Sequence, residues 1–209
     1  MKAKPHKSRE ARGFQLTLPS TAFGHLVFTD NAGPYTPSMQ WRFVMLTVFA
    51  GDHSDCIAVY FSREKGLNDS IPIRKRFKAD HARFGNVLKY HSDAAQELMG
   101  NTMAGHLDNE GAGRTYGVAG VADRDMDNRA ERAIYAIAIR ARAFRVDAGL
   151  PIIHWPLLYL FATFIVNILP IYIVAEKRFT TRLARALGDE TYACHTWDIS
   201  AGLDALYTH

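Results

Sequence analysis

The sequence predicts an α+β fold: a small antiparallel sheet in the N-terminal part, two long helices, then one transmembrane helix in the C-terminal half. Three observations carry this expectation. Two strand-like runs, residues 41–50 (WRFVMLTVFA) and 56–61 (CIAVYF), flank a short break at Gly51-Asp52-His53-Ser54. Apolar residues recur at helical spacing over 77–103 and again from Asn128. Residues 148–175 form a stretch of 28 without one Asp, Glu, Lys or Arg.

A chain of 209 residues can bury a substantial core, and its hydrophobic content of 48% and charged content of 22% are those of a folded protein. A net charge of +4 suits anionic lipid, nucleic acid or plain solubility and selects none of them. Cys56 and Cys194 are too few for a disulfide framework and have no CxxC spacing, though a single bridge between them is open. The first twelve residues, MKAKPHKSREAR, are basic with no apolar run behind them; they are not a secretory signal, and read as a solvated arm ahead of the alternative, a basic, acid-poor organellar transit sequence.

Taken in order, residues 14–18 and 25–28 read as short strands, and NAGPYTP at 31–37 as a turn-rich connection. The hairpin of 41–50 and 56–61 follows. Its strands are apolar at nearly every position, so both faces should be covered. Residues 62–76 are polar, with a basic cluster at Arg74, Lys75, Arg76 and Lys78. Phe84, Val87, Leu88, Ala95, Leu98 and Met99 place a helix over 77–103. The glycine-rich run 105–122 reads as an exposed loop. Asn128 with Glu131 resembles a capping box, Ile134, Ile137, Ala141 and Phe144 mark an apolar face, and Gly149 with Pro151 ends the helix.

The uncharged stretch is long enough to cross a bilayer core of about 30 Å. It divides the chain into a soluble arm (1–147), a membrane segment (148–175) and a basic amphipathic helix with a tail (176–209). Trp155, Tyr159, Phe161, Phe164 and Tyr172 are the expected lipid contacts, and Gly188 stops the amphipathic helix. Arg74, Lys75, Arg76, Lys78, Lys177, Arg178, Arg182 and Arg185 are the expected contacts for anions or lipid headgroups. The competing reading is a buried helix followed by an interior strand, because Pro151, Pro156 and Pro170 leave only 157–170 free for a helix. Asn167 then needs either a partner helix or a nearby backbone.

No constellation completes a catalytic set. Gly111 to Gly117 lacks the Lys-Ser/Thr of a phosphate loop. Asp123, Asp125 and Asp127 mimic a calcium loop, but Asn128 and Ile134 stand where glycine and glutamate are required. His81, His91 and His106 are spaced too far apart for a helical metal pair. Cys194-His195 with Asp198 holds the residue types of a thiol nucleophile without a surrounding signature. The order FVMLTVFAG (43–51), LKYHSD (88–93), GRTYGVAG (113–120) is loosely similar to that of rolling-circle replication initiators. The paired histidines and the Tyr-x-x-x-Lys of those proteins are missing, so no family is assigned.

The expected function is a non-catalytic, membrane-anchored accessory subunit of a larger complex, in a bacterial or organellar inner membrane. It would contact lipid and other subunits and use no cofactor and no metal. The alternative is a nucleic-acid-binding protein of replication type with 148–175 as buried core. A third reading is an enzyme built on Cys194 and a distant histidine.

Overall fold

The computed structural model describes residues 22–92, 101–116 and 124–188. Strands β1 (Val27–Ala32), β2 (Met45–Gly51), β3 (Ile57–Ser62), β4 (Lys89–Ser92) and β5 (Gly113–Tyr116) form one mixed sheet in the order β3-β2-β1-β4-β5. β1, β2 and β3 are antiparallel neighbours, whereas β4 runs parallel to β1 and β5 parallel to β4. The small antiparallel sheet of the sequence reading is therefore the antiparallel half of a larger mixed one.

Helices α1 (Leu67–Asp80), α2 (Asn101–Asn109), α3 (Arg124–Asp147), α4 (Trp155–Ile168) and α5 (Arg182–Leu187) cover this sheet, and a hairpin of β6 (Pro170–Ile173) and β7 (Arg178–Thr181) lies between the last two. Val27, Phe49, Tyr60 and Tyr90 point to one face, where Ile73 and Phe77 of α1, Met103 and Leu107 of α2, and Ala186 of α5 close over them. Phe28, Leu46, Val48, Ile57 and Val59 point to the other. There Ala133, Ile137 and Ala141 of α3 and Trp155, Leu158, Ala162 and Val166 of α4 complete the core. Alternate residues of each strand thus feed opposite cores.

The helix expected over 77–103 is interrupted between Asp80 and Ser92, and its residues 93–100, with Ala95, Leu98 and Met99, lie outside the described residues. α1 covers the polar run before it and ends at Asp80; Gly85 then takes φ 111°, and the chain continues into β4. The expected glycine-rich loop carries α2 and β5. α3 begins at Arg124, four residues before the proposed Asn128 cap, and ends where Gly149 adopts φ 63°. The strand expected at 14–18 lies outside the described residues.

The expected membrane segment is a correction. No described helix is long and apolar enough to cross a membrane. Proline divides the uncharged stretch. Pro151 is extended, Pro156 sits in the first turn of α4, and Leu169 is extended before Pro170, which opens β6. The remaining helix has 14 residues, a length of about 21 Å. Trp155 and Tyr159, the expected lipid contacts at its entry, are buried core residues. Trp155 Nε1 donates to the Thr36 carbonyl at 2.8 Å, and its ring meets Tyr35 at 4.7 Å and Phe61 at 5.3 Å. Phe161 and Phe164 lie on the outer face of α4, and Tyr172 packs on Phe179 across the terminal hairpin at 5.1 Å. The basic helix expected over 176–187 is β7 followed by the short α5, with Thr181 Oγ1 accepting the Ala184 N–H and Gly188 in the left-handed region.

Asn167 finds its partner in backbone, 110 residues away. Its Oδ1 accepts the Ile57 N–H at 2.9 Å, and its Nδ2 donates to the Ile57 carbonyl at 2.7 Å. β3 is an edge strand, and this carboxamide continues its ladder in place of a sixth strand. We expect Asn167→Leu to lower the unfolding free energy by about 1–3 kcal/mol in urea titration with an unchanged slope, because it strands both groups of Ile57. Phe164→Ser, on the outer face of α4, should change it by less than about 0.5 kcal/mol. Equal effects from the two substitutions would contradict this account of the edge.

Candidate functional site

In open sheets with parallel strands, ligands bind outside the carboxyl ends of those strands. β1 and β4 are the central parallel pair here, with Thr29 level with Ser92, the last residue of β4. The next residue of β1 is Asp30. Alternation from Phe28 turns its side chain toward the face covered by α3 and α4. Asp30 is half-buried, and one carboxylate oxygen accepts the Asn31 N–H at 2.7 Å. On the opposite face, Thr47 donates to the Asn31 carboxamide oxygen at 2.8 Å and ties β1 to β2 at the same level.

The elements on the Asp30 face are anchored further back along β1, toward its amino end. His91 of β4 is buried with its ring 5.3 Å from Phe28. Arg129 of α3 lies 2.8 Å from the Asp52 carboxylate, donates to the Asp52 carbonyl at 2.9 Å, and holds its guanidinium 5.5 Å from the Phe28 ring. α3 is thereby locked to the β2–β3 turn. Among the described residues no three His, Cys, Asp or Glu side chains cluster tightly enough to enclose a metal ion. Asp93 follows Ser92 in the sequence and Asp123 precedes α3; both lie outside the described residues.

The basic residues singled out from the sequence have separate fates. Arg74 is buried under α1 with its guanidinium 4.5 Å from the Tyr90 ring, and its Nη1 has no hydrogen-bond partner. Burial pulls its pKa down to about 10, with Tyr90 and Glu110 opposing. Burial likewise pushes the Tyr90 phenol up to about 12. Arg74 is thus a core residue and not a surface phosphate contact. Lys75 and Arg76 are exposed, Arg76 lying 3.6 Å from Asp80, and Lys78 reaches Glu110 at 3.7 Å. Lys177 sits at the tip of the terminal hairpin, and Arg178 donates to Glu176 at 2.6 Å, holding that carboxyl below its usual range. Arg182 donates to the Val166 carbonyl at 3.0 Å, and burial lowers its pKa. Arg185 is half-buried on α5.

Cys56 is buried, and desolvation pushes its thiol up to about 12, which removes it as a nucleophile. Cys194, His195 and Asp198 lie outside the described residues. Asp30 escaped the sequence reading. Its only local signal is a carboxylate at the end of the apolar run His25 to Phe28.

No protein-family model matches this sequence, and no curated protein matches it. Solved structures do match its fold. A simian T-cell lymphotropic virus intasome in complex with PP2A regulatory subunit B56 gamma gives a TM-score of 0.64 at 12% identity, over 81% of this chain and 56% of that one. The HTLV-2 integrase catalytic core domain in complex with magnesium gives 0.59 at 13% identity, over 79% of this chain and 97% of that one. The BIV integrase catalytic core domain gives 0.53 at 16% identity, over 69% and 84%. The chain therefore has the fold of retroviral integrase catalytic cores, spanning about half of the intasome protein and nearly all of the HTLV-2 core. These integrase neighbours, with the short α4, overturn the assignment to an inner membrane and the single-pass description. The segments that suggested a replication initiator supply β2, β4 and β5 of an integrase-type sheet.

A buried cation without an ionic hydrogen bond costs more than an apolar side chain of similar length. We therefore expect Arg74→Met to leave the urea midpoint unchanged or raise it. A loss above about 3 kcal/mol would show instead that the guanidinium is fully paired in the folded protein.

Proposed function

We propose that this chain is a nucleic-acid-processing core of integrase type, with Asp30 holding a divalent cation at the carboxyl edge of β1 and β4. The observation that supports this most is the position of Asp30. It is a half-buried carboxylate on the central strand of a β3-β2-β1-β4-β5 sheet, one residue past the level at which the parallel partner ends. Carboxylate oxygens are the donors that magnesium and manganese prefer, so the residue type fits such an ion. Asp93 and Asp123 join the proposal by sequence position alone, as the residues after β4 and before α3.

A bound cation of this kind polarises a phosphoryl oxygen and activates a water or hydroxyl. The chain's own part is to fix the carboxylate. The Asn31 N–H holds one oxygen of Asp30, and the Asn31–Thr47 bond keeps that stretch of β1 flat against β2. Arg129 fixes α3 over Phe28 on the same face, toward the amino end of β1. Lys75 and Arg76, exposed on α1, supply charge for a phosphate backbone. The intasome neighbour is in complex with a protein subunit, and a protein partner for this chain belongs to the same proposal.

The test is a labelled DNA substrate incubated with magnesium or manganese. The wild-type chain should cut or join strands, chelation should stop it, and Asp30→Asn should slow it by about 100-fold or more while DNA affinity stays within a few-fold. Replacing Lys75 and Arg76 with alanine should flatten the salt dependence of binding by about one unit of log-log slope each. DNA binding with no metal-dependent chemistry under either ion would reduce the protein to a binding module. No DNA binding at all would remove the whole reading.

A further inference from the structure

The connection between β1 and β2 leaves β1 at Ala32, two residues beyond Asp30, and closes into a tight turn over residues 38–43. Ser38 builds that turn. Its N–H donates to the Phe43 carbonyl at 2.9 Å, its carbonyl accepts the Arg42 N–H at 3.2 Å, and its Oγ accepts the Phe43 N–H at 2.9 Å. Arg42 takes φ 58°, in the left-handed region, to complete it. The Met39 N–H donates to the Ile153 carbonyl at 3.1 Å and pins the turn to the segment before α4.

This fixed turn holds Trp41 out toward solvent, 46% exposed. One side of the indole stacks on Phe43 at 5.7 Å, Phe43 stacks on Phe61 at 5.8 Å, and Phe61 meets the buried Trp155 at 5.3 Å. A row of four rings therefore anchors an exposed aromatic to the core. Beside Trp41 is a cleft of about 120 Å³, lined also by Met39, Gln40, His154 and Leu157. That is well below the roughly 300–1,000 Å³ of a small-molecule site and suits a single planar ring. Two cations stand next to it: Arg42, in a stretch (33–44) that holds no acid, and Arg63, which donates from Nε to the Trp41 carbonyl at 3.1 Å.

We infer that Trp41 is a stacking subsite for one unpaired nucleobase, with Arg42 and Arg63 meeting the phosphates on either side. Stacking on an exposed aromatic with flanking cations is how proteins grip single strands without reading sequence. Gln40 and His154 give the cleft polar edges for the base, and the pinned turn holds the platform before the ligand arrives. The inference deepens the integrase-type reading and rests on it. The subsite lies off the same end of β1 as Asp30, so it would hold the single-stranded part of a substrate whose scissile phosphate reaches the carboxylate.

The experiment is anisotropy of a fluorescein-labelled single-stranded octamer, with chelator present so that no chemistry intervenes, against a blunt duplex of the same sequence. Trp41→Ala should weaken octamer binding by about 5- to 100-fold, and Trp41→Phe should restore most of it. Arg42→Ala should lower the salt slope by about one. Neither Trp41 variant should move duplex affinity more than about twofold. Unchanged octamer affinity in a Trp41→Ala protein of wild-type melting temperature overturns the subsite, as does an equal loss on duplex. Preferential binding of an aromatic peptide over the octamer also overturns it. The two readings fail separately. Metal-dependent cutting with no role for Trp41 removes only the subsite, and Trp41-dependent binding without any cutting removes only the catalytic reading.

Discussion

The structure depends on covering β2 on both sides. Its seven residues, MLTVFAG, are all buried, so neither face of the sheet can be left to water. Helices on both faces follow from that, and with them the position of the candidate site. β1 lies between β2 and β4 and is buried over Val27, Phe28 and Thr29, then only half-buried over Asp30, Asn31 and Ala32. Asp30 is therefore the first residue of the central strand to leave the dry part of the core. That carboxylate stands at the border between the dry core and the open end of the sheet.

The parts of the fold legible in the sequence are those in which one segment carries its own pattern. The β2–β3 hairpin declares itself by β-branched and aromatic runs around a polar break. The two-sided burial of β2 follows from its lack of a polar face. Ile137 and Ala141 sit on the sheet side of α3, where the spacing puts them. β4 and β5 are different. Each has four residues, and Lys89, His91 and Ser92 become strand because β1 and β5 flank them, not because of their own propensity. α1 was hidden for the opposite reason. Among its described side chains the apolar ones that pack inward are Ile71, Ile73 and Phe77, and Arg74 turns in beside them, too few apolar positions to stand out from a polar run.

The same distinction governs the site. Constellations close in sequence, such as the glycine run or Asp123, Asp125 and Asp127, can be tested by spacing, and they fail for local reasons. A site assembled at a sheet edge takes its members from strands whose adjacency is set by strand order, so spacing carries no information about it. Arg74 shows the converse error. A run of three basic residues reads as one surface patch, yet the helix turns about 100° per residue and directs Arg74 inward onto Tyr90 while Lys75 and Arg76 face out. Trp41 was placed inside a strand by composition alone; the hydrogen bonds of Ser38 lift it out into a turn.

The uncharged stretch shows why length without punctuation misleads. As one helix, 28 residues would reach about 42 Å, ample for a bilayer core of about 30 Å. Three prolines make that helix unattainable, and the piece that survives is half as long. On one side its lack of charge has a local cause. That side of α4 lies on the sheet, where a charge would be buried; on the other, Phe161 packs on Phe144 of α3 at 4.8 Å while Leu157, Leu160 and Phe164 stay exposed. Asn167 is the informative exception. In a lipid-facing helix it would call for a second helix; here it stands at the point where α4 passes the open edge of β3, and it supplies the two hydrogen bonds that Ile57 lacks. A lone amide in an apolar run therefore points to an unpaired backbone nearby as readily as to a membrane partner. The prolines around it decide between the two, because they fix whether the run is one long helix or a short one that must pack.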